Sequence, residues 1–200
     1  MIDDLDKTLE QLLKRELPPA LAAQVAVTFA TPDDQFPPSS VTLPAVDLFL
    51  YDVRENRDLR STAWLVERTS VGTATRQRAP VRVDCSYLIT AWASPSSTTP
   101  AQDEHRMLSE VMKALLRHPT LPAAALQGNL VGQEPPLPAS VLQPGLLQSV
   151  GEFWQALGGK PKAALHYTVT VGVAVGEPVE AGPPVVDRLL KFRLEKEVAP

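Results

Sequence analysis

The residues best suited to chemistry are three histidines and one cysteine, and they are scattered along the chain. Glu104 and His105 are adjacent in a stretch with helical periodicity, where neighbouring side chains point about 100° apart. No second histidine or cysteine follows at the spacing that would complete a metal site. His118 precedes a proline at the predicted helix end, where it can pair with free carbonyl groups. We therefore interpret His105 as a helix-surface residue and His118 as a capping residue.

The single cysteine, Cys85, follows Asp84 in a stretch that alternates like a strand. A buried thiol has a raised pKa and is inert unless a base lies beside it. The chain lacks the G-x-S-x-G, H-E-x-x-H and C-x-x-C motifs and any glycine-rich phosphate loop. We predict no catalytic, metal-binding or cofactor-binding residue. An enzyme with a site assembled from Asp84, Glu104 and His105 is a remote alternative.

Charged residues of both signs are concentrated at 52–60, at and just after the end of an apolar run over 46–53. Acidic and basic residues alternate there as Asp52, Arg54, Glu55, Arg57, Asp58 and Arg60. A solvated loop is one interpretation, because surface ion pairs are common and weak. An interface is the other, because forked guanidinium donors facing carboxylates can set the register between repeated subunits.

Composition limits the classes of protein that remain. The chain has 200 residues, enough for one sizeable core, and 44% of them are hydrophobic, as in ordinary globular proteins. The net charge of −4 disfavours a nucleic-acid partner. No apolar run reaches the roughly 18 residues of a membrane span, so we expect no membrane insertion. The acidic start, Met1 to Asp6, does not resemble a signal peptide, and we expect synthesis and assembly in the cytoplasm.

The elements that must position these residues centre on the stretch 80–116. Apolar residues alternate from Val81 to Ile89, which predicts a strand. Thr99, Pro100 and Gln102 form a capping-box pattern ahead of a helical apolar face, which predicts a helix starting there. A strand and a helix that each have one apolar face are expected to pack together.

Further helices and strands are predicted on both sides of this pair. Apolar spacing predicts helices over 2–15, before Pro18 and Pro19, and over 146–157, and one or two helical turns near 121–128. Strands are predicted at 24–30, 46–53 and 165–175, the last of which carries His166, Thr168 and Thr170 on its polar face. The fold class that follows is α+β, with a mostly antiparallel sheet and helices packed on it.

Proline-rich stretches and the tail are harder to predict. We expect loops at 31–44 and 132–144, a hairpin or extended loop at 63–79, and a final strand or arm at 185–198. The expected organisation is one α+β domain over 1–177, followed by a C-terminal strand or arm over 178–200.

Several segments in order resemble a known family. They are 2–13 (IDDLDKTLEQLL), 48–60 (LFLYDVRENRDLR), 84–92 (DCSYLITAW), 104–108 (EHRML), 153–157 (FWQAL) and 167–171 (YTVTV). Together they resemble the cap, or tail-terminator, proteins of extracellular contractile injection systems, which are phage-tail-like particles. The resemblance extends from residue 2 to about residue 175 and carries no motif in 60–80 or beyond 178.

The resemblance implies a structural cap with a phage tail-terminator-like fold, not an enzyme. It implies a six-fold ring that closes the end of the tube and sheath of a particle, which is either released or membrane-docked. The implied partners are other copies of the chain and the tube and sheath proteins. We place subunit or partner contacts at Arg54, Glu55, Asn56, Arg57, Asp58, Arg60, His166, Thr168 and Thr170. A long edge strand could also receive or donate an extended arm, and 185–198 is the natural candidate for that arm. An assembly adaptor or chaperone of the same particle is the alternative function.

Overall fold

The central strand and helix form where the sequence predicts them. A computed structural model describes residues 1–68, 74–143 and 149–182. Its helices are α1 (Ile2–Glu16), α2 (Pro19–Ala22), α3 (Pro100–Leu116) and α4 (Val150–Ala156). Its strands are β1 (Ala26–Thr28), β2 (Ala45–Glu55), β3 (Trp64–Arg68), β4 (Ala74–Arg78), β5 (Val81–Trp92), β6 (Ala139–Val141), β7 (Ala164–Val173) and β8 (Val179–Gly182). The predicted strand or arm at 185–198 lies outside the described residues.

The main sheet contains five strands in the order β1-β2-β5-β7-β6. β1 runs parallel to β2, and every other neighbouring pair is antiparallel. With helices packed against it, this sheet confirms the predicted α+β class. The chain divides into two compact units, one of residues 1–60 with 81–173 and the other of residues 61–80 with those from 174 onward. The domain boundary predicted at residue 177 stays a prediction.

One face of the main sheet holds the hydrophobic core. The apolar side of α1, formed by Leu5, Leu9, Leu12 and Leu13, is fully buried. The buried side of α3 joins it through Val111 and neighbouring residues. Cys85, Tyr87 and Ile89 alternate along β5 and belong to the same cluster. Burial of such side chains contributes about 1.5–3 kcal/mol each, so this cluster, which includes the predicted contact of α3 with β5, stabilises the fold.

The start of α3 differs from the predicted capping box. The Thr99 side chain makes no capping hydrogen bond. Instead, Ser97 Oγ donates to Asp103 Oδ2 at 2.6 Å and accepts from the Thr99 backbone N–H at 3.1 Å. The bond between Ser97 and Asp103 therefore stabilises the first turn of α3. Asp103 is also an acidic residue near the positive end of the helix dipole, where a negative charge is favourable.

The predicted loop at 132–144 contains β6, and this changes the surroundings of β7. β6 pairs with β7 over residues 167–169. Beyond the residues of β7 that pair with β6, the Gln133 side chain forms hydrogen bonds with the β7 backbone. Its Nε2 donates to the Gly172 carbonyl at 2.6 Å, and its Oε1 accepts from the Gly172 N–H at 3.0 Å. β6 and Gln133 therefore cover this side of β7 along residues 167–169 and at Gly172.

The second unit contains a three-stranded antiparallel sheet in the order β3-β4-β8. β3 and β4 pair residue by residue, with Trp64 opposite Arg78 and Arg68 opposite Ala74. This confirms the hairpin alternative for the 63–79 segment. β8 pairs with β4 on its other side and was not predicted.

Candidate assembly interface

The second face of the main sheet, opposite α1 and α3, carries four of the nine predicted interface residues, Arg54, His166, Thr168 and Thr170. Strand pairing sets Asp52, Ser86 and Thr168 in one row across β2, β5 and β7, and Arg54, Asp84 and Thr170 in the next. Residues directly opposite one another in antiparallel strands share a face. The two sets predicted from the sequence, 54–60 and 166–170, are thus brought together by β5, which lies between them.

Asp84 on β5 connects the two sets. Its Oδ1 accepts a hydrogen bond from Thr170 Oγ1 at 2.6 Å and lies 3.2 Å from Asn56 Nδ2, which also donates to Oδ2 at 3.1 Å. Asn56 Oδ1 in turn accepts from the Leu59 backbone N–H at 3.0 Å. Thr170 is buried, only 7% exposed. Thr170 and Asn56 therefore fix Asp84 and the turn that follows β2.

Two of the predicted arginines are paired within the chain. Arg54 makes two bonds to Asp52, from Nε at 2.7 Å and from Nη2 at 2.8 Å. Arg60 Nε donates to Glu55 Oε1 at 2.6 Å, and a second bond joins Arg60 Nη2 to Glu55 Oε2. The Arg60 guanidinium lowers the pKa of Glu55. Because each pair is bidentate, these charges are held in fixed geometry and are not free counter-ions.

Arg57 and Asp58 lie at the exposed tip of the same turn. Neither forms an ion pair with another described residue. Leu59 beside them is 48% exposed. The tip thus offers one free cation, one free anion and an apolar side chain, while the residues around it are held in place by internal bonds.

His166 lies in a partly buried aromatic cluster. Its Nδ1 is 3.3 Å from Tyr51 Oη, and its ring meets the Tyr51 ring edge-on at 6.0 Å between centroids. Phe153 of α4 contacts Tyr51 as well, with 6.5 Å between ring centroids. Burial lowers the pKa of His166, so the imidazole is neutral at pH 7. Thr168 on the same strand is half-buried, and its Oγ1 is 3.1 Å from Ser86 Oγ.

A buried acid near the opposite end of this face was missed in the sequence. Asp47 is fully buried on β2, directly opposite Thr90 of β5. Neither of its carboxylate oxygens has a hydrogen-bond partner among the described residues. Burial raises the pKa of Asp47 to about 8, and the nearby Ala30 backbone amide offsets part of the shift without reaching hydrogen-bond geometry. Asp47 sits within an apolar run, so only its pairing in the sheet reveals its burial.

The residues of the enzyme alternative do not meet. Glu104 Oε1 accepts from Lys162 Nζ at 2.6 Å and from the Ala93 N–H at 3.3 Å. Asp84 lies nine residues before Ala93 along an extended stretch, which spans about 30 Å. His105 is exposed on α3. Asp84 is therefore too far from Glu104 and His105 to share a site with them.

The remaining candidates have structural surroundings. His118 Nε2 is buried and lies 3.3 Å from Glu16 Oε2 on α1 without reaching hydrogen-bond geometry. Burial raises the pKa of Cys85 to about 11, which leaves the thiol protonated at neutral pH. No cluster of three His, Cys, Asp or Glu side chains suited to a metal ion occurs in the described parts of the chain. Within those same ranges, no helix is both long and apolar enough to span a membrane.

The fold is α+β, and comparisons with known proteins show that it is tail-terminator-like. The chain belongs to the Pvc16 N-terminal domain family, whose model matches residues 4–188. The family resemblance predicted from the sequence segments is thereby confirmed. No curated protein sequence matches the chain.

Two solved structures are similar to the whole chain. One is a cryo-EM structure of the sheath/tube terminator of an extracellular contractile injection system, PVC, in its extended state; it is 26% identical with a TM-score of 0.67 and matches 100% of this chain. The other is the tube-terminating cap of the anti-feeding prophage, AFP, at 27% identity with a TM-score of 0.63 over 96% of this chain. The matched region covers 65% and 61% of those two chains, so this chain spans less than two thirds of their length.

Proposed function

We propose that this protein is a structural cap that closes the end of the tube and sheath of a contractile injection particle as a ring of six copies. The observation that carries the proposal is the match of the entire chain to a sheath/tube terminator at a TM-score of 0.67. The second match, to a tube-terminating cap, supports the same role. The partners are other copies of the chain and the tube and sheath proteins.

The second face of the main sheet suits an assembly role. A terminator must present a surface of fixed shape, because ring closure by head-to-tail contacts succeeds only at one rotation between subunits. The bidentate pairs Arg54–Asp52 and Arg60–Glu55 and the Asp84 cluster fix that surface before binding. Preorganised side chains lose less conformational entropy when they are buried in a contact.

Within this surface we assign direct contacts to the tip and to the half-buried residues. Arg57, Asp58, His166 and Thr168 are the candidates that reach a partner. Glu55, Asn56 and Thr170 act by holding the tip and the strand in position. The role is non-catalytic and uses no cofactor, nucleic acid or membrane insertion, and assembly takes place in the cytoplasm before the particle is released or docked at a membrane.

The experiment is co-expression of the chain with the tube and sheath proteins of its particle, followed by electron microscopy of the particle ends. We expect a six-fold density at one end and particles of uniform length. When the chain is left out, we expect open ends and variable lengths, because nothing then stops polymerisation. Uniform particles without the chain would overturn the proposal, and particles that fail to form at all without it would favour an assembly adaptor or chaperone.

A charge reversal tests the assigned surface. Arg57→Glu removes the free cation at the tip without breaking an internal ion pair, and we expect fewer capped ends. Arg15→Glu is the matched control, since it makes the same charge change at an exposed position of α1. Equal capping by both variants would exclude the 54–60 turn as a contact while leaving the capping role intact.

A further inference from the structure

The three-stranded sheet of the second unit has two faces of opposite charge. Alternation along each strand separates its side chains into two sets. The first, which we call the cationic face, consists of Trp64, Val66, Arg68, Ala74, Arg76, Arg78 and Val179, of which Ala74 is buried. The second, the acidic face, consists of Leu65, Glu67, Thr75, Gln77 and Glu180. The pairings Trp64–Arg78, Val66–Arg76 and Arg76–Val179, and Glu67–Thr75 and Thr75–Glu180, agree with this division.

Direct contacts support the composition of the cationic face. The guanidinium groups of Arg76 and Arg78 lie over the Trp64 ring, 5.0 Å and 5.2 Å from its centroid. Arginine stacked on an aromatic ring keeps its outward N–H groups available for carboxylates. Among the described residues, none of the arginines of this face or the glutamates of the other forms an ion pair. Within the described residues, both sets of charges are therefore unpaired.

Both faces also expose apolar surface. Trp64, Val66 and Val179 on the cationic face and Leu65 on the acidic face are between 46% and 54% exposed. Large apolar side chains grouped with unpaired charges on a small sheet are typical of a binding surface. A three-stranded sheet gains stability when a face of this kind is covered.

We propose that the cationic face of one copy packs against the acidic face of the next copy, so that this sheet forms a head-to-tail contact between subunits of the ring. The inference rests on the proposed function, since it requires a ring. A partner surface of one sign would complement only one of the two faces. A second copy of the chain carries surfaces of both signs and so complements both faces. A heterologous contact uses two different patches of the same subunit, and here the patches are opposite in sign. Complementary charge also disfavours packing of like faces.

Charge reversal in three full-length variants tests this contact on capped particles. The first carries Arg76→Glu and Arg78→Glu, so both faces become acidic. The second carries Glu67→Arg and Glu180→Arg, so both faces become cationic. The third combines all four changes, which reverses each face and restores complementarity. Arg76→Lys with Arg78→Lys is the control that keeps the charge.

We expect the first and second variants each to reduce capped ends about tenfold, because like charges then face each other around the ring. The combined variant should cap as the unchanged protein does. An equal mixture of the first and second variants should also restore capping, since the copies can alternate around a ring with an even number of subunits. Rescue in these two cases excludes misfolding of the single-face variants as the cause of their failure.

Three results would overturn the inference while leaving the capping role intact. Normal capping by both single-face variants would show that the sheet is not a subunit contact. Failure of the first variant alone, without rescue, would assign the cationic face to an acidic surface of the tube or sheath. Failure of the combined variant with a normal circular dichroism spectrum would exclude charge complementarity. Absence of any ring with the unchanged protein would instead refute the proposed function, and this inference with it.

Discussion

The Thr170 hydroxyl donates a 2.6 Å hydrogen bond to the Asp84 carboxylate, and this bond joins β7 to β5 on the second face of the main sheet. Asp84 also accepts from Asn56, at the start of the turn whose exposed tip carries Arg57. A neighbouring strand and the charged turn are thereby tied to the same side chain. Thr170 thus supports the shape of the candidate interface although it is itself buried.

Thr170→Val removes this hydroxyl with little change in volume. We expect a loss of about 1–3 kcal/mol in the free energy of unfolding, because a partly buried carboxylate loses a donor. Thr168→Val is the matched control, since it removes a hydroxyl whose partner is the neutral Ser86, and should cost about 0.5–1.5 kcal/mol. Urea unfolding of the two variants measures the difference, and equal losses would contradict a special role for the Thr170–Asp84 bond.

The buried carboxyl group of Asp47 should make the free energy of unfolding depend on pH in an unusual way. Its pKa in the folded protein is about 8, above the ordinary aspartate value of 3.8. The unfolded chain therefore releases this proton more readily, and stability is lost as pH rises from near 4 to near 8.

Asp47→Asn should remove that loss, because the amide stays neutral at every pH. At pH 7 we expect the variant to be more stable by about 4 kcal/mol, and near pH 4 the two proteins should be nearly equal. Chemical denaturation at pH 4, 6 and 8 gives the difference at each pH. A difference that does not grow with pH would mean that Asp47 is already ionised in the folded protein.

The spacing of apolar residues predicted those helices and strands whose own side chains specify a buried face. The apolar stripes of α1 and α3 and the alternation along β5 each specify a buried face without help from distant residues. β6 could not be predicted in this way. It is three residues long in a proline-rich stretch, and its pairing with the β7 backbone defines it.

The candidate interface was predictable as two separate sets and not as one surface. Mixed charge identified 54–60, and alternation identified the polar side of the 165–175 strand. Their meeting depends on strand order and register, which place Asp84 and Ser86 between them. The same holds for Gln133, whose role depends on its position beside Gly172 and not on any local pattern.

Replacing Gln133 should expose the edge of β7 at Gly172. Its amide satisfies both backbone groups of Gly172, where β6 no longer covers β7. Unpaired edge groups invite pairing with another chain. Gln133→Ala should therefore speed hydrogen exchange of the Gly172 amide and increase self-association, with a stability loss of about 1–3 kcal/mol for two lost bonds.

Gln127→Ala is the control for this prediction, because the Gln127 side chain donates to the Ala125 carbonyl and not to the β7 backbone. Hydrogen exchange followed by NMR reports the Gly172 amide directly, and light scattering at increasing concentration reports self-association. Faster exchange at Gly172 in the Gln133 variant alone is the expected result. If exchange at Gly172 is unchanged, then the strand backbone is protected by something other than the Gln133 amide, and the edge-blocking role is refuted.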